Sequence, residues 1–195
     1  DVEHVLATQC LRVRKMKTMR IEVTGSLATD VSAKDLILHL IGLLGTAGGT
    51  GYAIEFAGPV IRQLSVEGRM TLCNMATEFS AMTAIIAPDA KTYAYLAGRR
   101  HAPASFHAPY WATLTTDEGA TFDREIVIDA ATIAPMVSWG TSPEDASPID
   151  SVVPDPAEPK VYLPGFFLQK CLPRRGLILF DPTQAHLNAQ SAHRA

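Results

Sequence analysis

The sequence predicts an α/β protein, because strand-like and helix-like segments alternate along much of its 195 residues. Met19, Ile21 and Val23 alternate with polar residues, which is the spacing of a β-strand. The segments "YAIEF" (52–56) and "REIVIDA" (124–130) are also strand-like. Between the first two strands, apolar residues at helical spacing predict a helix that contains Leu36, Ile37, Leu40, Ile41 and Leu44. An apolar share of 47% is enough to build a core around these elements.

Local signals place the ends of two predicted helices. Ser32 is a typical N-cap, and Asp35 follows at the third helical position, which is the pattern of a capping box. Gly45 is expected to end that helix. Asp89 is expected to cap a second, shorter helix that runs through Leu96.

The glycine-rich segment "GTAGGTG" (45–51) invites comparison with a nucleotide-binding loop. Such loops follow a strand and precede a helix, whose free N–H groups face the phosphate. Here the order is reversed, and neither G-x-G-x-x-G nor G-x-x-x-x-G-K-[ST] occurs. The segment therefore predicts a tight helix-to-strand turn with positive φ angles and close backbone packing.

Composition argues against two classes of partner. A net charge of −3 and a pI of about 6.1 do not favour nucleic acid or an anionic membrane. No apolar run approaches the roughly 20 residues that a membrane-spanning helix needs. The basic residues within 11–20 are better explained as a solvated helix end than as a phosphate site. Three widely spaced cysteines, Cys10, Cys73 and Cys171, fit neither a disulfide framework nor a zinc finger, which favours the reducing cytoplasm.

Both ends of the sequence are unusual. It begins "DVEHVLATQ", a helix-like phrase without Met or leader, which suggests a chain cut from something longer. Eight of its 13 prolines fall in the segment that runs from Pro143 to Pro182, both included. Residues 151–195 are therefore expected to form an irregular, loosely ordered tail.

Residues 66–86 predict a helix with one polar stripe. On a helical wheel, Glu67, Thr71, Asn74 and Glu78 lie within about 60° of one another. The apolar residues on the opposite side are Leu72, Ala76 and Phe79. A helix that is apolar around most of its circumference is usually buried, so the stripe is expected to face polar groups, water or a ligand.

Two interpretations of the stripe remain open from the residues alone. Asn74 and Glu78 could satisfy a neighbouring loop or a basic residue such as Arg62 or Arg69, or they could line a functional cavity. Cys73 flanks the stripe without a nearby histidine or a second cysteine at ligand spacing. It is therefore interpreted as a packed residue and not as a nucleophile or metal ligand.

Several segments in succession carry a close resemblance. They resemble the large subunit of bacterial 3-isopropylmalate dehydratases, a branch of the aconitase family. The segments are "EHVLATQ" (3–9), "SAKDLILHLIG" (32–42), "GTAGGTGYAIEFAG" (45–58), "LSVEGRMTLCNMATE" (64–78), "IAPD" (86–89), "TDEGATFD" (116–123) and "VSWGTSP" (137–143). The likeness is nearly continuous from residue 1 to about residue 156, whereas nothing familiar follows. A frameshift and a genuinely divergent end would both explain such a tail.

The resemblance implies an α/β fold of three related domains around a [4Fe-4S] cluster, with a separate small subunit as the swivelling fourth domain. Residues 1–20 would then be the end of the first aconitase-type domain, and residues 21–150 the second. Residues 151–195 would be the divergent tail. The chain would be an interior fragment of the large subunit, working in the cytoplasm without nucleic acid or membrane.

The implied reaction interconverts 2-isopropylmalate and 3-isopropylmalate, which are 2-hydroxy diacids, by dehydration and rehydration in leucine biosynthesis. Asn74 and Glu78 match the family's "C-N-M-x-x-E" segment and are the implied catalytic residues. The Glu would hydrogen-bond the hydroxyl or water on the open iron, and the Asn would position the surroundings of the cluster. Cys73 matches a cysteine that is not a cluster ligand.

The cluster cysteines of the family lie in a "C-T-N" segment and a "C-x-x-C", and this chain has neither. No residue is therefore assigned to cofactor or metal binding, and the chain alone is expected to be inactive. Two alternatives are a stand-alone, non-enzymatic α/β binding module and a related hydro-lyase. The latter would be a homoaconitase or a citramalate or dimethylmalate dehydratase.

Overall fold

The computed structural model describes residues 2–102, 108–139 and 142–152, which lie in one compact unit, Asp1–Val153. The strands are β1 Lys17–Thr24, β2 Tyr52–Ala57, β3 Thr83–Ile85, β4 Arg124–Asp129, β5 Met136–Ser138 and β6 Ala146–Pro148. The α-helices are α1 Val2–Thr8, α2 Ala33–Leu44, α3 Pro59–Gln63, α4 Val66–Met75, α5 Ala90–Leu96 and α6 Ala108–Ala112. Two 3₁₀ turns cover Ala76–Phe79 and Ala130–Thr132. The predicted α/β class is confirmed.

Four parallel strands form the main sheet, in the order β3-β2-β1-β4. In β1, Ile21 is paired with Phe56 of β2 on one side and with Ile126 of β4 on the other. Met19, Ile21 and Val23 are fully buried, as their alternation predicts. The core around them also contains Leu36, Ile37, Leu40 and Ile41 of α2 and Leu72 of α4. Helices α2 and α4 therefore supply much of the apolar surface that the sheet buries.

The capping box at the start of α2 is confirmed. The Ser32 hydroxyl accepts a hydrogen bond from the Asp35 N–H (3.3 Å), and the Asp35 carboxylate accepts one from the Ser32 N–H (2.8 Å). Gly45 ends the helix with φ 75°, and its N–H donates to the Ile41 carbonyl (2.8 Å). Asp89 caps α5 as predicted, by accepting from the N–H group of Thr92.

The glycine segment forms the predicted tight turn between α2 and β2. Gly51 has φ 80°, a conformation that favours glycine. The Gly49 N–H donates to the Phe79 carbonyl (2.8 Å), and a Cβ at Gly49 would lie 2.9 Å from that oxygen. The two backbones approach so closely that only a hydrogen fits between them.

The prediction of one helix over residues 66–86 is wrong beyond Met75. Helix α4 ends at Met75, and one 3₁₀ turn continues to Phe79. Ser80 then takes a left-handed conformation, with φ 66°, which cannot continue a right-handed helix. The chain next enters β3, where Ala84 pairs with Ile54 of β2. Pairing with the sheet overrides the helical spacing of these residues.

The proposed tail (151–195) lies outside the described residues except for Ser151 and Val152. The proposed domain boundaries after residues 20 and 150 stay predictions. Every helix within residues 2–102, 108–139 and 142–152 is too short or too polar to span a bilayer.

Candidate functional site

Asn74 and Glu78, the residues singled out by the sequence, lie at the end of α4 and in the following 3₁₀ turn. Both are exposed, whereas the residues predicted to lie opposite them, Leu72, Ala76 and Phe79, are fully buried. The expectation that this helix is buried around most of its circumference is wrong, because Met70 on α4 is 52% exposed. The polar stripe is solvent-facing over the part of the chain that the structure describes.

The 3₁₀ turn alters the geometry that the wheel assumed. An α-helix advances about 100° per residue, whereas a 3₁₀ helix advances about 120°. Glu78 is therefore rotated relative to Asn74, compared with an unbroken α-helix. Its orientation depends on how the turn Ala76–Phe79 is held against its neighbours.

Neither basic residue suggested as a partner for the stripe pairs with it. Arg69 is buried and binds Asp89 instead, with 2.9 Å between Nη1 and Oδ1 and 2.6 Å between Nη2 and Oδ2. Its Nη2 also donates to the Arg62 carbonyl (2.9 Å). Among the described residues, the side chains of Asn74 and Glu78 make no hydrogen bond or ion pair. Both are therefore available to a ligand or partner.

Three segments meet immediately after Glu78. The Ser80 hydroxyl donates to the Thr46 carbonyl in the glycine turn (2.8 Å). The Thr46 N–H and hydroxyl both donate to Oε2 of Glu144, at 3.0 Å each. Glu144 belongs to the connection between β5 and β6. These two hydrogen bonds hold the pKa of the Glu144 carboxyl below its usual value, so it is ionised at neutral pH.

Strands β5 and β6 pair antiparallel to form a hairpin, and Asp35 links the other end of α2 to it. Its Oδ1 accepts from the N–H of Met136, the first residue of β5 (2.7 Å). Burial raises the pKa of the Asp35 carboxyl, but the hydrogen bonds from Ser32 and Met136 outweigh it and leave the pKa below its usual value. Helix α2 is therefore linked to the hairpin through carboxylates near both of its ends.

Sequence reasoning missed the polar residues that hold the turn after Glu78. Thr46 lies in the glycine-rich segment, where only the glycines predict a structure, and Ser80 lies inside the predicted helix over residues 66–86. Glu144 directly follows the "VSWGTSP" segment, and 98 positions separate it from Thr46. No local pattern reports a contact at that separation.

Cys73 packs against the core from the flank of α4, as its interpretation as a packed residue requires. It also lines a cavity of about 270 Å³ together with apolar residues of α4 and β3, among them Val66, Met70 and Ile85. Burial raises the pKa of the Cys73 thiol, which opposes the thiolate form that a nucleophile or metal ligand needs.

The residues that the structure describes do not fit an iron–sulfur cluster. Such clusters are held by several cysteine thiolates that converge on one point. Cys10 is exposed, Cys73 is half-buried with a raised pKa, and Cys171 lies outside the described residues. In residues 2–102, 108–139 and 142–152, no group of three or more His, Cys, Asp or Glu side chains could hold a metal ion.

Comparison of the sequence with models of protein families gives a match. The model of the aconitase family (aconitate hydratase) matches residues 1–165, which is most of the chain and includes all the described residues. The match supports a hydro-lyase type of chemistry in general, and the family generally uses a [4Fe-4S] cluster. By this match, the chain belongs to the aconitase family.

Proposed function

We propose that this chain supplies Asn74 and Glu78 to a hydro-lyase that interconverts 2-isopropylmalate and 3-isopropylmalate, in the cytoplasmic synthesis of leucine. The observation that carries the proposal is the segment "CNMATE" (73–78), which resembles the motif of the dehydratase large subunit. It is supported by the exposure of both side chains and by their lack of partners among the described residues.

The chemistry asks for groups of this kind. Loss of a hydroxyl as water is assisted by a proton donor at the departing oxygen, and rehydration by an acceptor there. The carboxyl of Glu78 can take either role, according to its protonation state. The amide of Asn74 can both donate and accept, so it can orient a carboxylate or hydroxyl of a 2-hydroxy diacid.

The cluster would supply Lewis acidity at the substrate hydroxyl. Because the described residues do not fit a cluster, we assign its ligands to cysteines of another part of the enzyme. We also propose the swivelling small subunit as a partner. The 195 residues alone are expected to bind no cluster and to show no dehydratase activity.

The test replaces Glu78 in an assembled enzyme. The chain is fused to the part of a dehydratase large subunit that carries the cluster cysteines, and the fusion is combined with the small subunit. Turnover of 2-isopropylmalate is then measured. Glu78→Gln keeps the size of the side chain but cannot exchange a proton, so kcat should fall by about 10²–10⁴-fold. Glu67→Gln is the matched control, because Glu67 is an exposed carboxylate near the other end of α4.

Three results would count against the proposal. They are an unchanged kcat in Glu78→Gln, an equal loss in Glu67→Gln, and no turnover in the parent assembly. Citramalate, 2,3-dimethylmalate and homoaconitase substrates are assayed in parallel. Turnover of one of these without turnover of 2-isopropylmalate would keep the hydro-lyase chemistry and replace the substrate.

A further inference from the structure

Ser80 has a conformation that its own sequence does not favour. It follows the turn that carries Glu78 and has φ 66° and ψ 22°, the left-handed region that residues other than glycine, asparagine and aspartate rarely adopt. Such a conformation persists only where surrounding contacts determine it. The contacts around Ser80 therefore decide where the turn before it lies.

Those contacts come from the glycine turn. The Ser80 hydroxyl donates to the Thr46 carbonyl (2.8 Å), and the Gly49 N–H donates to the Phe79 carbonyl (2.8 Å). Phe79 is itself fully buried, which fixes the residue between Glu78 and Ser80. The backbone at the C-terminal side of Glu78 is thus attached to the glycine turn at two consecutive residues.

The glycine turn is held in its own place by Glu144. One carboxylate oxygen accepts both the N–H and the hydroxyl of Thr46. These bonds leave Glu144 charged at neutral pH, and hydrogen bonds to a charged group are stronger than neutral ones. A continuous path of hydrogen bonds therefore leads from Glu144 through Thr46 to Ser80.

We propose that Glu144 and Ser80 are positioning residues, which act through Thr46 to fix the 3₁₀ turn that presents Glu78. Only the expected effect of these two residues on activity rests on the proposed function. Its structural part concerns the hydrogen bonds of this chain alone and can be tested without turnover.

The first experiment measures amide hydrogen exchange by NMR on the full 195-residue chain. In Glu144→Ala, the amides of Gly49, Ser80 and Ala81 should exchange about three- to ten-fold faster, because each donates a hydrogen bond within or across this contact. Amides of β1 should not change. Glu144→Gln keeps an acceptor oxygen and should restore most of the protection. Asp150→Ala is the control, because it removes a different exposed carboxylate a few positions later in the sequence.

Two results of the exchange experiment overturn the proposal. One is parent-like exchange at Gly49, Ser80 and Ala81 in Glu144→Ala, and the other is equal acceleration in Asp150→Ala. If Glu144→Ala does not fold, Ser80→Ala takes its place and should accelerate the exchange of the same three amides.

The second experiment measures turnover in the assembled enzyme. A displaced catalytic group lowers kcat more than it raises KM, so Glu144→Ala should lose about ten-fold in kcat with little change in KM. Glu144→Gln should recover most of the loss, and Asp150→Ala should match the parent. A parent without turnover would defeat the proposed function, while the exchange results would still decide the positioning role. A parent-like kcat in Glu144→Ala would overturn the positioning role alone.

Discussion

Arg69 and Asp89 form a two-point ion pair at one side of the fold. Two guanidinium nitrogens lie 2.9 and 2.6 Å from the two carboxylate oxygens, and the Arg69 side chain is only 6% exposed. Asp89 also caps α5 through its hydrogen bond from the Thr92 N–H. The pair therefore joins α4, the helix that contains Asn74, to the start of α5, which follows β3 in the chain.

Removing one member of this pair should be costly, because it leaves a buried charge without its partner. Asp89→Ala is expected to lower the free energy of unfolding by about 3 kcal/mol. The double variant Arg69→Met/Asp89→Ala should lose clearly less than the sum of the two single variants. Urea unfolding of all four proteins measures the coupling. Additive losses would show that the two side chains contribute independently, contrary to this account.

The same pair makes stability depend on pH in a defined direction. The hydrogen bond from Arg69 holds the pKa of the Asp89 carboxyl below its usual value. The pKa of Asp89 is therefore lower in the folded state than in the unfolded state, where it is about 3.9. The ion pair stabilises the fold fully above the unfolded-state pKa, and this stabilisation is lost as the pH falls through the folded-state pKa. Parent and Asp89→Asn should differ in unfolding free energy at pH 7, and the difference should shrink from about pH 4 downwards. Asp35, whose pKa is also lowered, is present in both proteins and cancels. A difference that stayed constant to pH 2 would contradict this assignment.

Much of the fold can be predicted from local sequence, because its signals act over a few residues. The alternation around Ile21, the capping box of Ser32 and Asp35, and the turn at Gly51 all appear in the structure as expected. Each depends on backbone preference or on side chains within one turn. A parallel sheet with capped helices follows from these signals together.

The end of α4 could not be predicted in the same way. Apolar residues continue at helical spacing past Phe79, and nothing local shows that Ala84 will pair with Ile54, which is 30 residues earlier. The left-handed Ser80 is equally unexpected, since serine has no strong preference for that conformation. Tertiary pairing decided both outcomes.

In the candidate site, too, the residues within one motif could be predicted from the sequence, whereas their long-range contacts could not. Asn74 and Glu78 come from a contiguous motif, and their catalytic role stays a prediction. The residues that hold the backbone beside Glu78, Thr46 and Glu144, belong to segments far apart in sequence. Only the folded chain brings them together.

Substitutions at Ser80 should separate the strain of its backbone from its hydrogen bond. Ser80→Gly relieves a left-handed conformation that costs roughly 1–2 kcal/mol, but it loses a hydrogen bond worth about 1 kcal/mol. Its stability should therefore stay within about 1 kcal/mol of the parent. Ser80→Ala loses the bond without relief and should be less stable than the glycine variant by about 1 kcal/mol or more. Urea unfolding gives both values, and equal stability of the two variants would mean that φ at residue 80 is not positive.

A substitution at Gly49 should test the close contact between the glycine turn and the end of the 3₁₀ turn. A Cβ there would lie 2.9 Å from the Phe79 oxygen and 3.0 Å from the Ala81 nitrogen, and both are backbone atoms that cannot rotate away. Gly49→Ala should therefore destabilise the fold by about 1–3 kcal/mol, measured by urea unfolding. Gly68→Ala in α4 is the matched control. Its nearest neighbour is the Ala33 Cβ at 3.4 Å, and alanine favours a helix over glycine by about 1 kcal/mol, so it should be neutral or stabilising. Equal effects of the two substitutions would show that the backbones of residues 49 and 79 are not in contact.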